Sequence, residues 1–280
     1  MSICYCNNNT FTKYNTRDYF YKGLNKYTYL ICNNCGSYFL EPNSVNTNNY
    51  DFNYYSIKKS DNISPNFLRS IRYTSKSILS RLLRLLKPIS NYDRIVTGII
   101  QINNPNILDY GSGNSFYINF LRSLGLVKKA IYSFDPYSND PETIKSIDKI
   151  PFVNIDLIIS NQVFEHLNNP LETLDELYSL SKDQCELIFS VPVVGGVLSS
   201  YKEYSYTFQA PDHVTILSLN TWVKLITKTK WILISICEDH SSQNIYINKS
   251  LKLAKRYKKD FVKPIITNSN ADNIIFHLRK

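Results

Sequence analysis

Glycine is scarce, 8 residues in 280, about 3% where ~7% is ordinary. Each glycine therefore marks a place where the backbone has a special need. Long hydrophobic runs are missing too. The best candidate, Trp231 to Cys237, has the length of one strand, far short of the ~18 residues a membrane span requires. The start, Met1-Ser2-Ile3-Cys4-Tyr5-Cys6, lacks a basic segment followed by an apolar one, so no secretory signal is read and a cytoplasmic protein is expected. With 43% hydrophobic and 20% charged residues, the composition excludes collagen-like and wholly disordered chains.

What is present is unevenly placed. The net charge of +9 concentrates in two stretches. Arg69, Arg72, Lys76, Arg81, Arg84 and Lys87 occur without an acid, and Lys249, Lys252, Lys255, Arg256, Lys258, Lys259 and Lys263 face only Asp260. The remainder is slightly acidic, so the central region is not a basic surface. Six cysteines in a reducing compartment favour metal ligation over disulfides. Four lie in Cys4-x-Cys6 and Cys32-x-x-Cys35, while Cys185 and Cys237 sit in apolar runs as core thiols.

The chain divides into a cysteine-bearing unit (1–45), a polar connector with a basic amphipathic helix (46–95), a central domain (96–240), and a basic helix with a final strand (241–280). Apolar residues at helical spacing from Leu68 to Leu86 predict one helix from Phe67 to Lys87, stopped at Pro88. Beyond residue 96, strands are expected at Ile107-Leu108, Ala130 to Phe134, Ile155 to Ile159, Glu186 to Val191, Trp231 to Ile236 and Ile274 to Leu278. Helical patterns at Phe116 to Leu124, Leu171 to Leu180 and Leu219 to Ile226 separate them. Alternation of this kind predicts an α/β fold with a doubly wound, mostly parallel sheet, whose ligands bind beyond the carboxyl ends of the strands.

Two glycines meet in Asp109-Tyr110-Gly111-Ser112-Gly113, between the first central strand and its helix, where they allow a tight turn and close ligand approach. A dinucleotide fingerprint would place a third glycine at Phe116. Asp109 would repel a pyrophosphate but attract ammonium and sulfonium groups, which favours S-adenosylmethionine over NAD. The second strand ends in Asp135-Pro136, putting a carboxylate acceptor where a ribose diol would lie.

These residues, with Ile155 to Leu167 and Val191-Pro192, resemble a class I S-adenosylmethionine-dependent methyltransferase over Ile107 to about Ile236. The resemblance implies that Asp109, Tyr110, Gly111, Ser112, Gly113, Asp135, Pro136, Asn161 and Gln162 hold the cofactor. A third strand is not placed by the pattern, with Asp148 as the residue that would approach the adenine. At the fourth strand Asn161 to His166 match the family's Glu-His pair. For Glu165 and His166 two readings stand: a contribution to the floor of the acceptor site, or support of the following helix by Glu165 with His166 packed on the sheet.

Two thiolate pairs separated by 25 residues, with Gly36 after the second, suit a tetrahedral zinc at Cys4, Cys6, Cys32 and Cys35, the alternative being free thiols. Cys32 to Leu40, followed by Asn53-Tyr54-Tyr55-Ser56, also resembles the zinc-ribbon head of a methyltransferase subgroup that acts on sugars, commonly nucleotide-linked. The acid-His pair of that subgroup matches Asp212-His213, which implies substrate binding or base duty, His213 being the expected catalytic residue. The other reading is a helix entry capped by Asp212 or Ser218 with a solvated His213. A sugar or related small-metabolite acceptor is therefore expected. An RNA methyltransferase holding phosphates with its basic segments, and a scaffold without turnover, are the competing classes.

Overall fold

In the computed structural model, the residues described are 3–19, 25–41, 67–86, 89–205, 208–241, 243–257, 259 and 271–280. Asn53 to Ser56 and most of the basic stretch after Tyr257 lie outside them. The elements in chain order are β1 (Phe11–Arg17), β2 (Lys26–Cys32), β3 (Tyr38–Leu40), α1 (Phe67–Thr74), α2 (Ile78–Leu86), α3 (Asn91–Asn103), β4 (Ile107–Tyr110), α4 (Phe116–Ser123) and β5 (Ile131–Phe134). They continue with β6 (Leu157–Asn161), α5 (Pro170–Leu180), β7 (Glu186–Pro192), β8 (Thr215–Ile216), α6 (Leu219–Ile226), β9 (Ile232–Asp239), α7 (Gln243–Arg256) and β10 (Asn273–Arg279).

Central strands bury side chains on both faces, and their alternation assigns each residue to one of two cores. Ile107, Leu157, Ile159, Ile188 and Ile275 face α3 and α4, meeting Tyr92, Val96, Ile100, Ile118 and Leu121. Their neighbours Leu108, Ile158, Leu187, Phe189 and Phe276 face α5 and α6, meeting Leu174, Leu177, Trp222 and Leu225. The six-stranded sheet that results has the order β5-β4-β6-β7-β10-β9. Neighbours from β5 to β7 run parallel, and β10 pairs antiparallel with both β7 and β9, so a single strand opposes the rest. This is the doubly wound arrangement that the Ile/Val runs predict.

The third strand that the sequence left unplaced is reduced to one parallel bridge between Phe134 and Ile144. Asp148 lies in a 3₁₀ turn, Ile147–Lys149, and accepts from the Ser146 hydroxyl. The single helix expected over Phe67 to Lys87 is two. Ser77 accepts from the Ser80 N–H at 3.2 Å, starting α2 afresh, and serine hydroxyls favour such helix starts over helix interiors. Arg84 then donates to the carbonyls of Arg72 (2.7 Å) and Ser75 (2.8 Å), satisfying the end of α1.

Strands β1, β2 and β3 form an antiparallel sheet whose fourth strand is β8, from the connection between β7 and α6. The N-terminal segment is thus joined to the central domain by backbone pairing, Tyr38 to Ile216 and Phe39 to Thr215. Cys4, Cys32 and Phe39 share a core with Trp222 and Leu225. No helix among the described residues is long and apolar enough to cross a membrane.

Candidate active site

The glycine loop leaves β4 with Gly111 at φ +77° and Gly113 at +55°, both left-handed and strained for a side chain. A Cβ on Gly111 would stand 2.4 Å from the Val163 side chain, so the loop after β6 packs directly on the loop after β4. Gly111 and Ser112 donate their N–H groups to the Phe134 carbonyl at 2.8 and 3.0 Å. Asp135, just past β5, accepts from the N–H of Gly113 (2.9 Å, Oδ2) and of Tyr137 (2.8 Å, Oδ1). Each of its oxygens keeps a further lone pair for a ligand hydroxyl. Its carboxyl is pushed up by burial, against the pull of those N–H groups.

Asp109, one residue before the end of β4, is 4% exposed, and its Oδ2 has no hydrogen-bond partner, as is true of the Ser112 hydroxyl. Burial, with the Asp135 charge behind it, pushes the Asp109 carboxyl up to about 7. A buried acceptor oxygen left over beside a glycine turn fits a cationic group on a ligand. Tyr110 turns its ring inward against Phe134, centroids 5.0 Å apart, and Pro136 is exposed. Asn161 and Gln162 both engage Ser190 of β7. Asn161 accepts from its hydroxyl, and Gln162 donates through Nε2 at 3.2 Å and through its backbone N–H to the carbonyl at 3.0 Å.

Glu165 and His166 follow in the 3₁₀ turn Phe164–His166. The helix-support reading of Glu165 fails, because α5 begins at Pro170 and is capped by Asn169, whose side chain accepts from Glu172 N–H. Glu165 lies inside, 1% exposed, with neither carboxyl oxygen hydrogen-bonded. Its carboxyl is pushed up to about 8 by that burial. The His166 ring meets His213 edge to face, centroids 4.9 Å apart. Burial lowers it to about 4, against the bond to Asp212.

His213 is buried rather than solvated, and the α6 cap is Ser218. Its segment is fixed at several points. His213 N–H donates to Gln209 O (3.0 Å), Val214 N–H to Glu165 O (2.8 Å), and the Tyr29 hydroxyl to His213 O (2.6 Å). The carbonyl of Asp212 accepts from His166 Nδ1 at 2.9 Å. One ligand-capable atom from each of Glu165, His166 and His213 lies within 4.8 Å of the others, a grouping the separate reading of these residues missed.

Beside the first turn of α6, where Cys6 and Cys35 line a cavity with Ser218, Asn220 and Thr221, the sulfurs of Cys4, Cys6, Cys32 and Cys35 all lie within 4.8 Å of one another. Cys4 and Cys35 are 3.6 Å apart and Cys6 and Cys32 3.5 Å. A tetrahedral ion with bonds of roughly 2.3 Å separates its thiolates by about 3.8 Å, whereas a disulfide would need about 2.05 Å. Gly36 turns the second pair at φ +70° and Asn7 the first at the same angle, so the shorter Cys-x-Cys spacing closes as well.

The description "Methyltransferase domain" fits the family whose sequence pattern matches residues 70–234. Among solved structures, the chain is similar to a SAM dependent methyltransferase from Aquifex aeolicus (15% identity, TM-score 0.44, covering 71% of this chain and 97% of that one). It is also similar to an S-adenosylmethionine dependent methyltransferase from Mesorhizobium loti (10%, 0.43, 68% and 98%), and to a SAM dependent methyltransferase from Archaeoglobus fulgidus (15%, 0.43, 68% and 92%). No curated protein matches the sequence. The chain belongs to the methyltransferase-domain family and is an S-adenosylmethionine-dependent methyltransferase.

Proposed function

We propose that the acceptor is a small metabolite bearing a hydroxyl or an acidic C–H, a sugar and in particular a nucleotide-linked one. The observation that carries this reading is the grouping of buried Glu165 and His213 with half-buried His166, Glu165 and His166 lying on the loop whose Val163 packs on Gly111. S-adenosylmethionine, when bound, supplies a methyl group already activated by its sulfonium. Asp109 and Asp135 hold the cationic and diol portions of that donor, and Ser112 offers its hydroxyl. The remaining task is to orient the acceptor and take its proton, and the imidazole and carboxyl groups beyond β6 do this. The likeness of Cys32 to Leu40 to heads on sugar methyltransferases supports the sugar.

We assign the four-cysteine cluster a structural zinc, and the chain a cytoplasmic setting that keeps those thiols reduced. An RNA acceptor is disfavoured, because two of the four arginines of the first basic stretch are engaged within the fold: Arg84 closes α1 and Arg72 lies 4.8 Å over the Tyr73 ring. Mass spectrometry of ligands that co-purify with the chain, followed by methyl-transfer assays on nucleotide-sugars and on structured RNA, tests the assignment. Transfer to RNA alone would overturn it.

A further inference from the structure

We propose that Glu165, His166 and His213 form a divalent-cation site that binds and activates the acceptor's hydroxyl. This rests on the methyl-transfer reading above and changes the role of His213 from base to ligand. Two imidazoles and one carboxylate are a donor set that divalent transition metals use when open positions remain for a substrate. The three donor atoms already lie within 4.8 Å of one another, so little movement is needed to close them on one ion.

Two independent features point to a cation. Glu165 is 1% exposed and both of its oxygens lack a partner, a costly state that a bound cation removes. The Asp212 carbonyl, which can only accept, holds His166 Nδ1 at 2.9 Å, so Nδ1 carries the proton and Nε2 is the basic nitrogen of the ring. An imidazole tethered by its other nitrogen to a backbone carbonyl is how metal-ligating histidines are oriented. Val214 N–H on the Glu165 carbonyl at 2.8 Å ties the turn carrying two of the donors to the segment carrying the third.

The chemistry balances without another reactant. An acceptor hydroxyl on an open position of the cation becomes more acidic and gives its proton to solvent water. Its oxygen lone pair forms the new O–C bond to the methyl group, and the C–S bond breaks with its electron pair left on sulfur. A sulfonium becomes a thioether and the acceptor a methyl ether.

The test uses the full chain and Mn²⁺, a hard ion that thiolates do not select, followed by loss of the free-ion paramagnetic resonance signal. The wild type is expected to take up one Mn²⁺. In Glu165→Gln and His213→Gln its affinity should fall by more than about 100-fold, since even supporting residues of metal sites are worth 10- to 100-fold. S-adenosylmethionine titration checks that both variants are folded. Absence of Mn²⁺ uptake by the wild type, or equal uptake by wild type and variants, overturns the site. Full methyl transfer after removal of divalent ions overturns its activating role. Uptake lost in both variants, with no hydroxyl compound methylated, would uphold the site and refute the acceptor reading instead.

Discussion

The hydroxyl of Tyr29, on β2, donates a 2.6 Å hydrogen bond to the backbone carbonyl of His213, so the N-terminal sheet holds the acceptor segment in place. Tyr29 is fully buried, and the pairing of β3 with β8 supports the same segment two residues further on. Tyr29→Phe keeps the ring and strands the carbonyl, at a cost of about 1 to 3 kcal/mol. Urea unfolding should show that loss. Turnover should drop about 10- to 100-fold through misplacement of His213, with S-adenosylmethionine affinity unchanged. Wild-type turnover in Tyr29→Phe would show that the N-terminal sheet does not position the site.

Gly111 supplies a second test, independent of the acceptor. A methyl group there meets Val163 at 2.4 Å on a backbone with φ +77°. Gly111→Ala should therefore lose both stability and cofactor affinity. Adding Val163→Ala removes the two closest clashing atoms, leaving the Val163 Cβ at 3.1 Å and the backbone strain, so the double variant should recover part of the loss, a coupling of roughly 0.5 to 3 kcal/mol in a double-mutant cycle. Strict additivity in thermal unfolding would show that the two loops are not packed as described.

The scarce residues were the legible ones. Gly111, Gly113, Asp109 and Asp135 sit at the carboxyl ends of β4 and β5, where spacing alone had put them, because a strand, a tight turn and a helix impose a local order. The grouping of Glu165 and His166 with His213 was not legible. Nothing in either segment encodes the other, and their meeting is held by two bonds, Val214 N–H to the Glu165 carbonyl and His166 Nδ1 to the Asp212 carbonyl, and by the pairing of β8 with β3. The break between α1 and α2 escaped for another reason. Apolar spacing continues across it, while the serine hydroxyls that end one helix and start the next add nothing to that periodicity.

The cysteine cluster predicts a metal count. Zinc bound by four thiolates should be present at one equivalent per chain, beyond any ion at the histidine site, and strong chelation should remove it and loosen β1 to β3. Because those strands hold His213 through Tyr29, chelated protein should lose turnover while the central sheet keeps its circular dichroism. Metal analysis finding no thiolate-bound zinc in protein purified without chelator would rule out the assignment. So would a Cys35→Ser variant that keeps the metal unchanged.

The last prediction follows from Asp109, whose carboxyl is held up at about 7 by burial and by Asp135, above the ordinary value near 3.8. In the free protein it binds a proton over a range in which the unfolded chain does not. Between about pH 4 and 7 the native state therefore carries the extra proton, and this residue makes stability fall as pH rises. A cationic ligand against the carboxylate reverses the balance, since the charged form becomes the favoured one. Binding of S-adenosylmethionine at pH 6 should then release close to one proton per chain, and its affinity should rise with pH up to about 7 and level off above. Calorimetry in two buffers of different ionisation enthalpy counts that proton directly. Asp109→Asn should abolish the release and flatten the pH dependence. Equal proton release in wild type and Asp109→Asn would mean that another group, not Asp109, meets the positive charge.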